Sequence, residues 1–277
     1  MIIRTNDILT GRDRTMDRES PPDDSHLVAC RGFCRTCGRD HLLRVSGAHR
    51  HARTLMEHLR RHRSVDLSAG EKATNPRLAT DWLFGEARGK MFGVLECRAG
   101  DGSIVVLQAF SGQYNGLWEV DGWAPPLFDS RRLEEISHAS EKEIKRLGQE
   151  MAATGDPQQR LELQRRRRQL SQQLMRQIHS LYRLTNFCGR TTSLSSAFAG
   201  DGGIPTGSGD CCAPKLLNHA ACRGLIPLGI AEFFWGRSNR SGGREDGQFY
   251  PSCDEKCAPI LGFLLCGLEG RSPDHAA

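Results

Sequence analysis

The sequence predicts an α+β protein, with a small sheet, flanking helices and a long inserted helical hairpin. Two apolar runs, 90–98 and 103–110, are joined by an Asp-Gly turn, which is typical of a β-hairpin. Leucine and isoleucine then recur every three to four residues over 130–184, with a break at 153–157, which predicts two antiparallel helices. The apolar run 225–235 lies between two glycines and predicts a buried strand.

The composition favours a folded protein with reduced cysteines. A chain of 277 residues with 38% hydrophobic content can bury one sizeable core with appendages, and a net charge of +5 permits an acidic partner such as RNA without requiring one. Eleven cysteines, an odd number with no secretory signal ahead of them, indicate thiols and metal in a cytoplasmic setting. No apolar run approaches the roughly eighteen residues of a membrane span, so no membrane partner is expected.

The same patterns divide the chain into segments. Residues 1–26 are polar and predict a disordered tail, and 269–277 a second short tail. Between them, 27–67 forms a Cys/His-rich segment resembling a zinc knuckle, followed by a basic helix. The core spans 76–268, with the helical hairpin of 130–184 inserted into it.

The N-terminal segment carries a candidate metal site. Cys34 and Cys37 are separated by two residues and followed by Gly38, as in the turn of many zinc ribbons. The candidate ligands are Cys30, Cys34, Cys37 and His41. Because four ligands within twelve residues are tight for one ion, we expect Cys34 and Cys37 to supply two, and Cys30, His41 or later histidines to supply the rest. The alternative is a cysteine-rich loop without metal.

The next segment, 48–63, has an apolar side and a basic side and predicts an amphipathic helix. Its candidate RNA-binding residues are Arg60, Arg61 and Arg63. A basic helix face can lie along phosphates, but it can equally be solvated.

The core carries a second candidate site. Cys211 and Cys212 fall at or before the start of a helix, and Cys253 and Cys257 lie one helical turn apart where another begins. A helix N-terminus lowers the pKa of a thiol and favours the thiolate that metals bind. We therefore predict a zinc site made by Cys211, Cys212, Cys253 and Cys257, with either Cys211 or Cys212 as the actual ligand.

Two other interpretations of these cysteines stay open. They could be buried structural thiols, or they could carry redox chemistry. The remaining cysteines of this region, Cys97, Cys188, Cys222 and Cys266, fit ordinary core or scattered positions.

The order of elements in the core resembles the zinc-dependent nucleobase deaminase fold: two strands, a helix opening with a ligand, a strand, and a cysteine pair opening another helix. In that family a Glu follows the first ligand by two residues and acts as general acid and base. Here those positions are Ala213 and Pro214, and the pair is Cys-x-x-x-Cys. Asp210 is the nearest carboxylate and the candidate catalytic residue, although an N-cap role explains it already.

A second resemblance covers roughly 77–268. The strings GKMFGVLECRAGDGSIVVLQAFSGQ, GWAPPLFD, SGDCCAPKLL, AEFFWG and FYPSCDEKC are similar to the N-terminal region that precedes the catalytic domain in certain bacterial pseudouridine synthases acting on ribosomal and transfer RNA. The Arg-Leu-Asp motif of their catalytic domain does not occur, and the closest string has Thr185 in place of the acid. The resemblance implies a zinc-binding, RNA-associated accessory protein beside a separate modification enzyme, rather than an enzyme. A deaminase-type hydrolase and a zinc-stabilised interaction scaffold are the alternatives.

The second arm of the hairpin supplies the main candidate RNA contacts. These are Arg165, Arg166, Arg167, Arg168 and Arg176. Four consecutive arginines wrap around a helix, so at least two must face solvent, where they suit the phosphates of structured RNA. Acidic residues on the first arm could instead pair with them.

Overall fold

A computed structural model describes residues 27–68 and 75–269, and its mixture of helices and small antiparallel sheets confirms the predicted α+β class. The predicted tail at 1–26 lies outside the described residues, as does the tail at 269–277 apart from Glu269.

The elements follow one another in an order close to the prediction. Before the insertion the chain forms β1 (Val28–Cys34), β2 (Arg39–Arg44), α1 (Ala48–His62), β3 (Lys90–Arg98) and β4 (Ile104–Phe110). The insertion is α2 (Ser130–Ala153) and α3 (Pro157–Leu181). After it come β5 (Arg183–Thr185), β6 (Thr191–Ser193), α4 (Leu194–Ala197), α5 (Cys212–Cys222), β7 (Ile226–Trp235), β8 (Phe249–Tyr250) and α6 (Ala258–Leu265).

One segment with a helix-like apolar pattern forms two short 3-10 turns instead. The apolar pattern over 76–87 indicates a helix, but the structure has turns at Pro76–Leu78 and Asp81–Phe84. Between them Ala79 is extended, with ψ of 150°, and forms a bridge with Ser64. Hydrogen bonds to the chain that follows α1 therefore prevent 76–87 from forming the continuous helix that its apolar pattern indicates.

The main sheet has the strand order β4-β3-β7-β8, and every neighbouring pair is antiparallel. β3 is an inner strand. It pairs with β4, where Phe92 lies opposite Phe110, and with β7, where Lys90 lies opposite Trp235. β1 and β2 form a separate hairpin.

Apolar residues cover both faces of the sheet. On one face α1 packs its apolar side against alternate residues of β3 and β7, among them Phe92, Val94 and Phe233. On the other face α5, α6 and the base of the helical hairpin bury Leu95, Ile230 and their neighbours. This two-sided burial explains why β7 is apolar almost throughout. Any polar residue within it must find partners inside the core.

The two long helices begin at aspartate caps. The Asp129 carboxylate accepts hydrogen bonds from the N–H groups of Arg131 and Arg132, and the Asp156 carboxylate accepts one from Gln158. At 1.5 Å per residue each arm is about 36 Å long, so the hairpin extends well beyond the few core contacts at its base. Over residues 27–68 and 75–269, no helix combines the length and apolar character needed to cross a bilayer.

α6 lies almost backbone to backbone on β1. A Cβ placed on Gly32 would overlap the carbonyl oxygen of Ala258 and the N–H of Gly262, and one placed on Gly262 would overlap the carbonyl group of Phe33. The two glycines thus fix the distance between β1 and α6. Both elements also carry cysteines, so this approach determines where those thiols can meet.

This close approach predicts that an alanine at position 262 destabilises the protein. Gly→Ala inside a helix normally raises stability by up to ~1 kcal/mol, but Gly262→Ala should instead lower the free energy of unfolding by about 1–3 kcal/mol because the methyl group meets the backbone of β1. Urea denaturation measures the change. Gly155→Ala is the control, since nothing lies within 4 Å of its added Cβ. A Gly262→Ala protein as stable as the control would contradict the described packing.

Candidate metal centres

One group of four side chains in the described part of the chain is arranged to hold a metal ion. The ligand atoms of Cys34, Cys37, His41 and Cys266 all lie within 4.8 Å of one another. Cys34, His41 and Cys266 are buried, and Cys37 is exposed. We call this group the first centre.

The local chain explains how three of these ligands converge. Cys34 ends β1 and Cys37 lies in the turn before β2, where the Gly38 N–H donates to the Cys34 carbonyl oxygen over 2.8 Å. Gly38 has a φ of +70°, a left-handed conformation that glycine adopts without strain. His41 then follows on β2, and its Nε2 lies 3.0 Å from the Cys37 sulfur. A tight β-hairpin therefore places two thiols and one imidazole on the same side.

The surroundings of the first centre favour metal binding. Burial opposes ionisation of Cys34, but the N–H groups of Cys37 and Thr36 and the neighbouring thiols outweigh it and lower the pKa of the Cys34 thiol. His41 Nδ1 lies 3.2 Å from a carboxylate oxygen of Glu269. A carboxylate on the far nitrogen of a ligating histidine fixes its tautomer and orientation.

The fourth member of the group departs from the predicted set. From sequence the candidates were Cys30, Cys34, Cys37 and His41, and Cys266 was assigned to ordinary positions. In the structure Cys30 is buried in the core, opposite Leu43 in the β1–β2 hairpin. Burial and the nearby Glu232 carboxylate raise the pKa of its thiol. Cys266 instead closes the group, because it caps the C-terminus of α6 beside β1.

A second group of thiols lies where α5 and α6 begin. Cys211 is the N-cap of α5 and Cys257 the N-cap of α6. The Cys257 thiol interacts with the thiols of both Cys211 and Cys253, and these interactions raise its pKa. The Cys253 thiol accepts a hydrogen bond from the Cys257 thiol and others from the backbone N–H groups of 255–257. These hydrogen bonds lower the pKa of the Cys253 thiol to about 5. Within the described residues, only the first centre has every ligand atom within 4.8 Å of the others.

The remaining predicted members of this region have other roles. Cys212 is fully buried beside β3, and its thiol donates to the Met91 carbonyl oxygen over 3.4 Å, so the structure groups Cys211, not Cys212, with Cys253 and Cys257. Asp210 was expected as an N-cap, but its carboxylate accepts from the Tyr182 hydroxyl over 2.7 Å and Cys211 occupies the cap position.

The structure adds a carboxylate that the sequence did not single out. Glu232 lies on β7 opposite Gly93 of β3, and it is only 6% exposed. Its carboxylate accepts a hydrogen bond of 2.5 Å from the Ser252 hydroxyl and another from the Ala213 N–H. Ala213 follows Cys212 and Ser252 precedes Cys253. Glu232 therefore bridges the two chain segments that bear the thiols, on the α5 side of the sheet.

Burial determines the electrostatics of this carboxylate. Burial raises the pKa of Glu232, and the Cys253 thiol adds to this rise, while the hydrogen bonds from Ser252 and Ala213 and the Arg244 guanidinium oppose it. The net pKa is about 7. The sequence did contain a signal: Glu232 is the one charged residue in the run 225–235. A charged residue within a buried strand requires an explanation beyond packing.

The candidate RNA-binding arginines are all exposed. Arg166 lies 3.2 Å from the Glu143 carboxylate on the facing helix, as the pairing alternative anticipated. Arg63 pairs with Asp81 over 2.6 Å, and Arg60 lies 5.4 Å from the centre of the Trp235 ring. Several arginines of the second arm thus remain available at the surface, and Arg60 and Arg63 already have partners in the chain.

The ligand set of the first centre can be tested by metal content. Cys266→Ala should remove about one metal ion per chain because it deletes a thiolate ligand. Cys30→Ala, a matched change of another buried cysteine, should leave the metal content unchanged. Inductively coupled plasma mass spectrometry of both purified variants measures this. Loss of metal in Cys30→Ala and not in Cys266→Ala would restore the set expected from sequence.

No family model, no curated protein and no solved structure matches this chain. Function is therefore inferred from the geometry of the two groups and their surroundings.

Proposed function

We propose that this protein is a zinc-dependent hydrolase of the deaminase type, stabilised by a separate structural zinc ion. The observation that carries the proposal is the position of Glu232. Its buried carboxylate is held by Ala213 and Ser252 and lies near the thiols of Cys253 and Cys257. Deaminases use a Glu two residues after the first zinc ligand as general acid and base, and this chain has none there. Glu232, from the neighbouring strand β7, would take that role.

The donor types suit zinc at both groups. In a tetrahedral site with Zn–S bonds of about 2.3 Å, ligand atoms lie about 3.8 Å apart, and the first centre, with every pair within 4.8 Å, needs little adjustment to reach this spacing. Three sulfurs and one nitrogen fill all four positions there, which is typical of a structural site. The second group offers three sulfurs, which leaves one position open, as in catalytic zinc sites.

The proposed reaction is hydrolytic loss of an amino group from a nucleobase. Zinc, when bound by Cys211, Cys253 and Cys257, would supply Lewis-acid activation of water. Glu232 would take a proton from the attacking water and deliver it to the leaving nitrogen, so that the C–N bond breaks and ammonia departs. The hydrogen bonds from Ser252 and Ala213 keep the carboxylate in one orientation throughout.

This role of Glu232 is tested by the isosteric change Glu232→Gln. The variant should keep its zinc but lose ammonia release by at least ~100-fold, because an amide cannot accept and return the proton. The assay uses free bases, nucleosides and single-stranded oligonucleotides as substrates. Glu96→Gln is the control, a buried carboxylate of β3 that lies toward α1. Equal rates for wild type and Glu232→Gln, or no ammonia from any substrate, would contradict the proposal.

A second candidate function, RNA association, is favoured by the exposed arginines of α3. Arg165, Arg167, Arg168 and Arg176 extend along an arm about 36 Å long that leaves the body of the protein. An arm of this length could follow successive phosphates of a folded RNA. The role of an accessory protein beside a separate RNA-modifying enzyme would rest on this arm.

Salt dependence tests the RNA contact. Changing these four arginines to glutamine should weaken binding to structured RNA at least ~10-fold and reduce the slope of log affinity against log salt by up to about 0.9 per lost phosphate contact. Fluorescence anisotropy at several salt concentrations measures both. The charge-matched control changes four exposed arginines outside the hairpin, Arg31, Arg39, Arg190 and Arg240. Equal weakening in both variants would show that net charge, not the arm, determines binding.

A further inference from the structure

A cleft of about 570 Å³ lies at the base of the helical hairpin, between α2, α3 and the loop that precedes α5. It takes no part in the proposed hydrolysis, although Asp210 at its inner end is adjacent to Cys211. Its walls combine apolar side chains of both helices with the Trp118 ring. The cleft is large enough to hold a small organic molecule.

The charge of the cleft is opposite to that of the protein. The chain has a net charge of +5, yet the cleft is lined by three carboxylates, from Glu134, Glu141 and Asp210, and by no Lys or Arg of the described residues. Two imidazoles also line it, and burial lowers the pKa of His179, which favours its neutral form. A cation is therefore the ligand that the lining complements.

The carboxylates of the cleft differ in depth. Asp210 lies at the inner end, where it is half-buried and accepts a hydrogen bond from the Tyr182 hydroxyl over 2.7 Å. Glu134 and Glu141 are exposed at the rim, two turns apart on α2, a rise of about 10 Å. Leu133, Leu174 and Ile178 form the wall, alongside the rim. This order suits a ligand with charged ends and an aliphatic middle.

Two features at the inner end determine which groups of a ligand could bind there. His179 Nε2 is buried and has no hydrogen-bond partner among the described residues, so it is available to accept from an N–H group. Two lysines, Lys215 and Lys256, lie near Asp210. The Lys215 ammonium is already bonded to the Phe110 and Gly112 carbonyl oxygens, at 3.0 and 2.8 Å, and neither lysine lines the cleft.

We propose that this cleft binds a linear aliphatic polyamine. One ammonium group would bond to Asp210 and His179, the methylene chain would contact the leucine and isoleucine wall, and the other ammonium group would lie between Glu134 and Glu141.

Isothermal titration calorimetry of the full chain tests this with putrescine and spermidine as probes. The diol of the same chain length as putrescine keeps the shape without the charge, and Mg²⁺ measures simple counterion binding. Saturable binding of the amines is expected, with spermidine stronger than putrescine and no heat from the diol. Binding of the diol, or no binding of either amine at millimolar concentration, would overturn the proposal.

Charge-matched variants locate the site. Glu134→Gln with Glu141→Gln removes two exposed carboxylates of the rim and should weaken spermidine binding about tenfold. Glu135→Gln with Glu162→Gln removes the same charge from exposed positions outside the cleft and should have little effect. Equal effects of the two pairs would show non-specific attraction and contradict the site. Asp210→Asn should weaken spermidine binding further, because it removes the carboxylate at the inner end.

Discussion

The close packing of α6 on β1 determines where the thiols of both groups lie. Gly32 and Gly262 let the two backbones approach until no side chain fits between them. Because β1 ends at Cys34 and α6 is followed by Cys266, this approach closes the first centre. The same short helix begins at Cys257, so its two ends contribute one thiol to each group. A metal ion at the first centre would therefore also hold the helix that positions the second group.

Glu232 shows how the proposed function conflicts with stability. An apolar residue would pack better at this position, because a buried carboxylate loses its hydration and its neutral form is favoured. The shift of its pKa from 4.5 to about 7 corresponds to roughly 3 kcal/mol. Hydrogen bonds from Ser252 and Ala213 reduce this cost without removing it. Residues kept against such a cost are more often found at functional sites than in ordinary cores.

The sequence predicts the elements that depend on local pattern. The β3–β4 hairpin follows from its Asp-Gly turn, α2 and α3 from their apolar spacing, and β7 from its apolar run. The position of Cys266 could not be predicted, because it depends on packing between segments more than 200 residues apart. Glu232 is visible in the sequence as a charged residue in an apolar run, but only its contacts with Ser252 and Ala213 show which thiols lie beside it. The spacing of apolar residues predicts local elements, but the meeting of metal ligands depends on contacts between distant segments.

X-ray absorption at the zinc edge would show whether the protein has two sulfur-rich zinc centres. We expect about two zinc ions per chain, with an average shell of three sulfurs at about 2.3 Å and one lighter atom at about 2.0 Å. Cys211→Ala with Cys253→Ala should leave about one zinc ion with an unchanged shell, that of the first centre. A shell dominated by nitrogen and oxygen, or a protein that binds no zinc after refolding with it, would contradict the presence of two sulfur-rich zinc centres.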